Sequence, residues 1–169
     1  KWSQGVLHPD IKGTALGSEF GLKGELPLIA TQKNIKADIN WTELDITRLP
    51  LPKSEGWHPE SGNVAGAFNI SGPIPETGKP LPKNLKGKLN FKFKQLVLAQ
   101  PNQSEKISLP TLEGSGDYQS NQLNYKILGN IFEGNVKSNG VVKNLKQPVL
   151  DNQLEFSNLD LSKLSMLKP

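Results

Sequence analysis

Cysteine is absent from this chain, so disulfide frameworks, thiol nucleophiles, iron–sulfur clusters and thiolate zinc sites are all excluded together. Arginine is nearly absent, with Arg48 the only one, so the net charge of +4 is almost wholly lysine. Arginine does most bidentate reading of bases and phosphates, and its scarcity argues against specific nucleic-acid recognition. The only histidines are His8 and His58. Each precedes a proline, which reads as a turn rather than a metal or catalytic site. Apolar runs are short, far below the ~18 residues that a membrane-crossing helix needs. No G-x-x-x-x-G-K-[ST] and no G-x-S-x-G occurs, and the Gly-rich pieces at 13–24 and 113–117 read as strand ends and turns. No nucleophile, base or metal constellation is legible, so the expectation is a protein that is not an enzyme and has no cofactor.

What is present is alternation. In Glu19-Phe20-Gly21-Leu22-Lys23-Gly24-Glu25-Leu26-Pro27-Leu28 the even positions carry Phe20, Leu22, Leu26 and Leu28, and the odd ones carry mainly charge or Gly. The same period of two runs through 35–41 and 85–94, and it places Val64, Phe68 and Ile70 on one parity. Further strands are expected at 107–112, 117–118, 123–127, 132–142 and 150–156. Glycine plus proline is 29 of 169 residues, above the usual ~12%, and turn signals recur every 8–15 residues. The expected fold is all-β, an antiparallel and strongly curved meander with little helix, either an open groove or a partly closed barrel or sandwich. It occupies 1–169 as a single β-rich domain. Ser120-Asn121 and Asn139-Gly140 are the expected tight turns, 50–62 and 72–82 the longer loops. The best helix candidate is 159–167, with Asp160 or Ser162 as its cap.

An internal similarity stands out. Ile39, Trp41, Leu44, Ile46 and Leu49 have the same spacing as Leu154, Phe156, Leu159, Leu161 and Leu164, 115 residues later. In both, the apolar parity flips after the aromatic residue, which predicts a bulge or corner at Thr42-Glu43 and at Ser157-Asn158. A third copy, Leu89, Phe91, Leu96 and Leu98, needs two extra residues in this alignment.

Lys86, Lys88, Lys92 and Lys94 share one parity and form the densest basic feature. They read as a solubilising strand face or a protected sheet edge, with attraction to anionic headgroups as the functional alternative. Nucleic acid is disfavoured, because Phe91 and Phe93 fall on the opposite parity and leave no aromatic among the lysines. The apolar parity carries the functional question. Phe20, Leu22, Ile39, Trp41, Phe68, Ile70, Leu89, Phe91, Phe93, Leu123, Tyr125, Ile127, Phe132, Leu154 and Phe156 form one expected stripe across many strands, and no helix is evident to cover it. Either the sheet closes on itself, or its apolar floor holds acyl chains. Trp2, Trp41 and Trp57 supply the alternative of a carbohydrate-binding or scaffolding sandwich, Trp57 being placed in a Pro/Gly loop.

The segment 112–140, with Leu112-Glu-Gly-Ser-Gly-Asp-Tyr and Ile131-Phe-Glu-Gly-Asn-Val, followed by Leu154-Glu-Phe-Ser-Asn-Leu-Asp-Leu-Ser-Lys-Leu, resembles the C-terminal region of AsmA-like proteins. The glycine spacing of 62–72 is similar to strands of that family, although Glu133 stands where the family often has a first Gly. The type II secretion protein N family has similar strand patterns. The AsmA-like resemblance implies a periplasmic β-groove, anchored in the inner membrane by a segment outside this chain. It also implies phospholipid or another acyl-chain ligand, and partners in the cell envelope.

Overall fold

The computed structural model describes residues 1–3, 5–28, 33–49, 56–76, 81–101, 106–144, 147–160 and 162. Eleven strands form one antiparallel sheet: β1 (Trp2–Ser3), β2 (Val6–Leu7), β3 (Asp10–Ala15), β4 (Ser18–Pro27), β5 (Asn34–Asp45), β6 (His58–Pro73), β7 (Lys86–Ala99), β8 (Lys106–Gln119), β9 (Gln122–Ile131), β10 (Gly134–Lys143) and β11 (Val149–Ser157). From β4 onward each strand pairs with its sequence neighbours. Along the outer side of β4, β2 and β3 follow one another as two halves of one strand, interrupted at His8-Pro9. The sheet is an open meander, not closed into a barrel, with no α-helix among the described residues. Of the architectures left open by the sequence, the open sheet is therefore the one adopted.

Local chemistry explains the hairpins. Leu16-Gly17, Ser120-Asn121 and Phe132-Glu133 each have two consecutive positive φ angles and join strands in two-residue turns, the geometry that matches strand twist. The turn expected at Asn139-Gly140 is not there: both residues lie inside β10. Phe132 takes the left-handed conformation because its side chain is buried in the core, and that packing outweighs the turn preference of Asn-Gly. The Gly-rich stretch 113–117 is likewise mid-strand, within β8. His58 and Pro59, expected in a turn, open β6 opposite Ala99 and Leu98.

The internal repeat has a physical meaning. Glu43, Gln95 and Asn158 have φ of 48°, 52° and 57°, each preceded at two residues by an aromatic (Trp41, Phe93, Phe156) and followed by leucine. At Trp41/Leu44 the register of β5 on β6 shifts, the bulge expected from the parity flip. The third copy aligns without extra residues once Phe93, rather than Phe91, is matched to Trp41. Beyond the corner the copies also agree. Asp45 Oδ1 accepts from Thr47 N (3.0 Å) and Thr47 Oγ1 (2.7 Å), and Asp160 Oδ1 accepts from Ser162 N (3.0 Å) and Ser162 Oγ (2.6 Å). In the first copy this caps a 3₁₀ turn, Ile46–Arg48. The rest of the expected C-terminal helix, 161 and 163–167, lies outside the described residues.

Among the described residues, the one buried cluster sits at this corner. Ile46, Leu96, Ile107, Leu109 and Phe132 pack together, with Leu49, Trp57, Phe93, Leu98, Leu112 and Ile131 around them. Elsewhere the sheet is a single layer, so among the described residues no side chain is fully buried.

Candidate functional site: an uncovered apolar sheet face

Cross-strand partners share a face of the sheet, so the pairing register assigns the faces. One row runs Phe20, Trp41, Gly66, Phe91, Gly114, Ile127, Ser138 and Leu154. The next, two residues along, runs Leu22, Ile39, Phe68, Leu89, Gly116, Tyr125, Gly140 and Asn152. Ile70 and Leu123 belong to a third row, and Phe93 and Phe156 to a fourth. Fourteen of the fifteen residues expected on the apolar stripe thus lie on one face. Phe132 does not: it belongs to the buried cluster. The same register adds Ala37, Val64, Leu112, Tyr118, Val136, Val142 and Leu150. Of these, Val64 shares its parity with Phe68 and Ile70 in the sequence, whereas around the others shorter apolar runs hide the parity. At standard strand spacings the face from β4 to β11 measures about 34 Å across and about 20 Å along the strands.

From Trp41 onward in the first row and from Leu89 to Gly140 in the second, large and small residues alternate, and large ones lie over small ones. A Cβ on Gly13 would stand 3.1 Å from the Phe20 ring, and one on Gly129 would stand 2.9 Å from Leu112 Cδ1. At Gly66 and Gly114 an added Cβ would overlap the Trp41 and Phe91 rings outright. These rings therefore lie flat along the sheet and fill the place of the missing side chain. Phe91 also meets Phe93 edge-on at 5.5 Å between centroids. The result is a low, smooth apolar surface with no second layer above it among the described residues. Ile39 and Leu89, at its centre, are each 36% exposed. Two polar atoms are sealed within it without a hydrogen-bond partner, Trp41 Nε1 and Tyr118 Oη.

The opposite face is charged but balanced. Lys88 pairs with Asp117 (3.7 Å), Lys92 with Glu113 (3.5 Å), Lys94 with Glu43 (3.4 Å) and Lys137 with Glu155 (2.9 Å). β7 is hydrogen-bonded to β6 and β8, so its lysines protect no sheet edge. They form a solvated face whose charge is largely answered by the neighbouring strands. Of the tryptophans, Trp57 packs against the buried cluster and Trp41 lies over Gly66, which leaves only Trp2, 68% exposed, in the position of an open platform.

No family model, curated protein or solved structure matches the chain. The described residues hold no group of three or more His, Cys, Asp or Glu placed to share a metal ion, and no helix long and apolar enough to cross a membrane.

Proposed function

We propose that this protein is a lipid-binding or lipid-conducting segment of the bacterial envelope, its apolar sheet face serving as a floor for acyl chains. The observation that carries the reading is that face: four aligned rows across the sheet, rich in Phe, Trp, Leu and Ile and interleaved with glycine, with no covering layer among the described residues. Continuous apolar surface on this scale marks a binding site. A surface made of flat rings and glycines suits a flexible, featureless ligand, because it offers smooth contact and few directional polar groups. Laying about ten methylenes on it would contribute ~8 kcal/mol before the cost of ordering the chain. The paired lysines of the other face suit contact with water. A periplasmic setting and participation in phospholipid movement between membranes are parts of this proposal that rest on the AsmA-like resemblance.

The test is native mass spectrometry of the purified protein together with organic extraction. Copurified phospholipid is expected on the parent protein and on Asn90→Asp, which alters the charged face of β7. It should be lost from Leu89→Asp, which alters the apolar face of the same strand. Lipid-free parent protein that also takes up none from vesicles refutes the reading, and so does lipid retained equally by both variants.

A further inference from the structure

β11 closes the sheet on one side, and its outer edge has no partner strand among the described residues. The internal repeat says what kind of strand this edge is. β11 corresponds to β5, matched residue for residue from Trp41 and Phe156 through the corners at Glu43 and Asn158 to the Asp45 and Asp160 turns. β5 is an interior strand, held by β4 on one side and β6 on the other. β11 has the counterpart of β4, namely β10, and lacks the counterpart of β6.

The consequence is visible at Phe156. Trp41 lies over Gly66 of β6, whereas Phe156 lies over no glycine among the described residues and is 55% exposed. On the charged face of this edge Asp151, like Glu19, Glu25 and Asp38 elsewhere on that face, has no ion pair among the described residues, so it is open to a lysine of the kind that meets Asp117, Glu113 and Glu155. A second copy of β11 is a poor fit here. The antiparallel register that sets Leu150 against Phe156 also sets Asp151 against Glu155, two like charges directly opposed.

We propose that the outer edge of β11 docks an extended polypeptide strand, antiparallel, with a glycine opposite Phe156 and a lysine opposite Asp151. β6 gives the template, since Gly66, Phe68, Ile70 and Ser71 face Trp41, Ile39, Ala37 and Lys36. Transferred to β11, the same four positions face Phe156, Leu154, Asn152 and Asp151. The inference concerns the backbone edge and stands apart from whether the apolar face holds lipid.

The probe is a synthetic peptide copying residues 63–73 with the change Ser71→Lys, added to the whole protein and followed by amide hydrogen exchange and binding titration. Exchange in β11 should slow. Affinity should fall about fivefold with Gly66→Val in the peptide, the scale of one lost cross-strand pair. On the Asp151→Lys protein the preference should invert, with a peptide carrying Ser71→Glu binding better than the lysine peptide. Unchanged exchange in β11, or slowing that ignores both substitutions, overturns the proposal. Slowing that rises with protein concentration in the absence of peptide overturns it in favour of a second copy at the edge.

Discussion

Replacing Gly114 by alanine isolates the contact between rings and glycines. On an ordinary strand this change is favourable by about 0.5–1 kcal/mol, because glycine loses more backbone freedom on folding. Here the three atoms nearest the added Cβ all belong to the Phe91 ring, with Cε1 at 2.8 Å and Cε2 at 3.1 Å. The ring must lift, which costs about 1–3 kcal/mol as overpacking and disturbs its edge-on contact with Phe93. The expected balance is a net loss of about 1–2 kcal/mol, or a fall in Tm of roughly 2–8 °C for a chain of this size. Phe91→Leu removes the obstructing ring. In that background Gly114→Ala should be neutral or stabilising, which gives a coupling of about 2 kcal/mol in a double-mutant cycle read by urea unfolding. Gly66 supplies the control. A Cβ there would meet the backbone oxygen of Asn90 at 2.7 Å as well as Trp41, so Trp41→Leu should not rescue Gly66→Ala. Additive effects of Gly114→Ala and Phe91→Leu would refute the claim that the ring alone requires the glycine.

Other positions give independent tests. Gln95 has φ of 52°, so Gln95→Asn should hold or raise stability, while Gln95→Val should lower it by about 1–2 kcal/mol in the same unfolding assay. The Asp45 carboxyl titrates below its ordinary 3.8, held down first by the Thr47 hydroxyl and then by the Thr47 amide, with desolvation opposing them and the Arg48 charge adding a lesser pull downward. The folded-state pKa is thus depressed, so its stabilising contribution is present above 3.8 and is lost as pH falls through the lower folded value. Thr47→Val should bring the Asp45 titration back toward 3.8 when followed by NMR. A charge cycle on Lys92 and Glu113 should give coupling of no more than about 1 kcal/mol that shrinks in salt, because both side chains are about half exposed.

Period-two alternation carried most of the fold, since a strand with one apolar face writes its register into parity. It placed β4 through β7 and, through the shared parity, most of the apolar face. The repeat gave the corners, because a left-handed residue between an aromatic and a leucine leaves a fixed spacing. Three readings needed information that no local window holds. The glycines of β8 looked like turn residues because their vacant places are filled by Phe91 and Leu123 from neighbouring strands. Phe132-Glu133 carries no turn signature, yet it turns because Phe132 has a core to enter. Phe132 shares a pattern with the stripe residues, and only the hairpin at its position removes it from the face. The absence of a covering layer was legible only as the lack of a helix; that no second sheet takes its place is a property of the whole topology.

From β5 onward each strand pairs with its chain neighbours alone, which makes this part of the sheet nearly one-dimensional in its energetics. Order can start at any tight hairpin and spread sideways, and the connections 46–57 and 74–85 are the longer ones to close. Loss of order runs the other way, peeling from β3 and β11 toward β7. The width of such a sheet is set by how many hairpins are strung together rather than by a closed geometry. A pair of strands can therefore be inserted or removed at an exposed turn while every remaining ladder keeps its register.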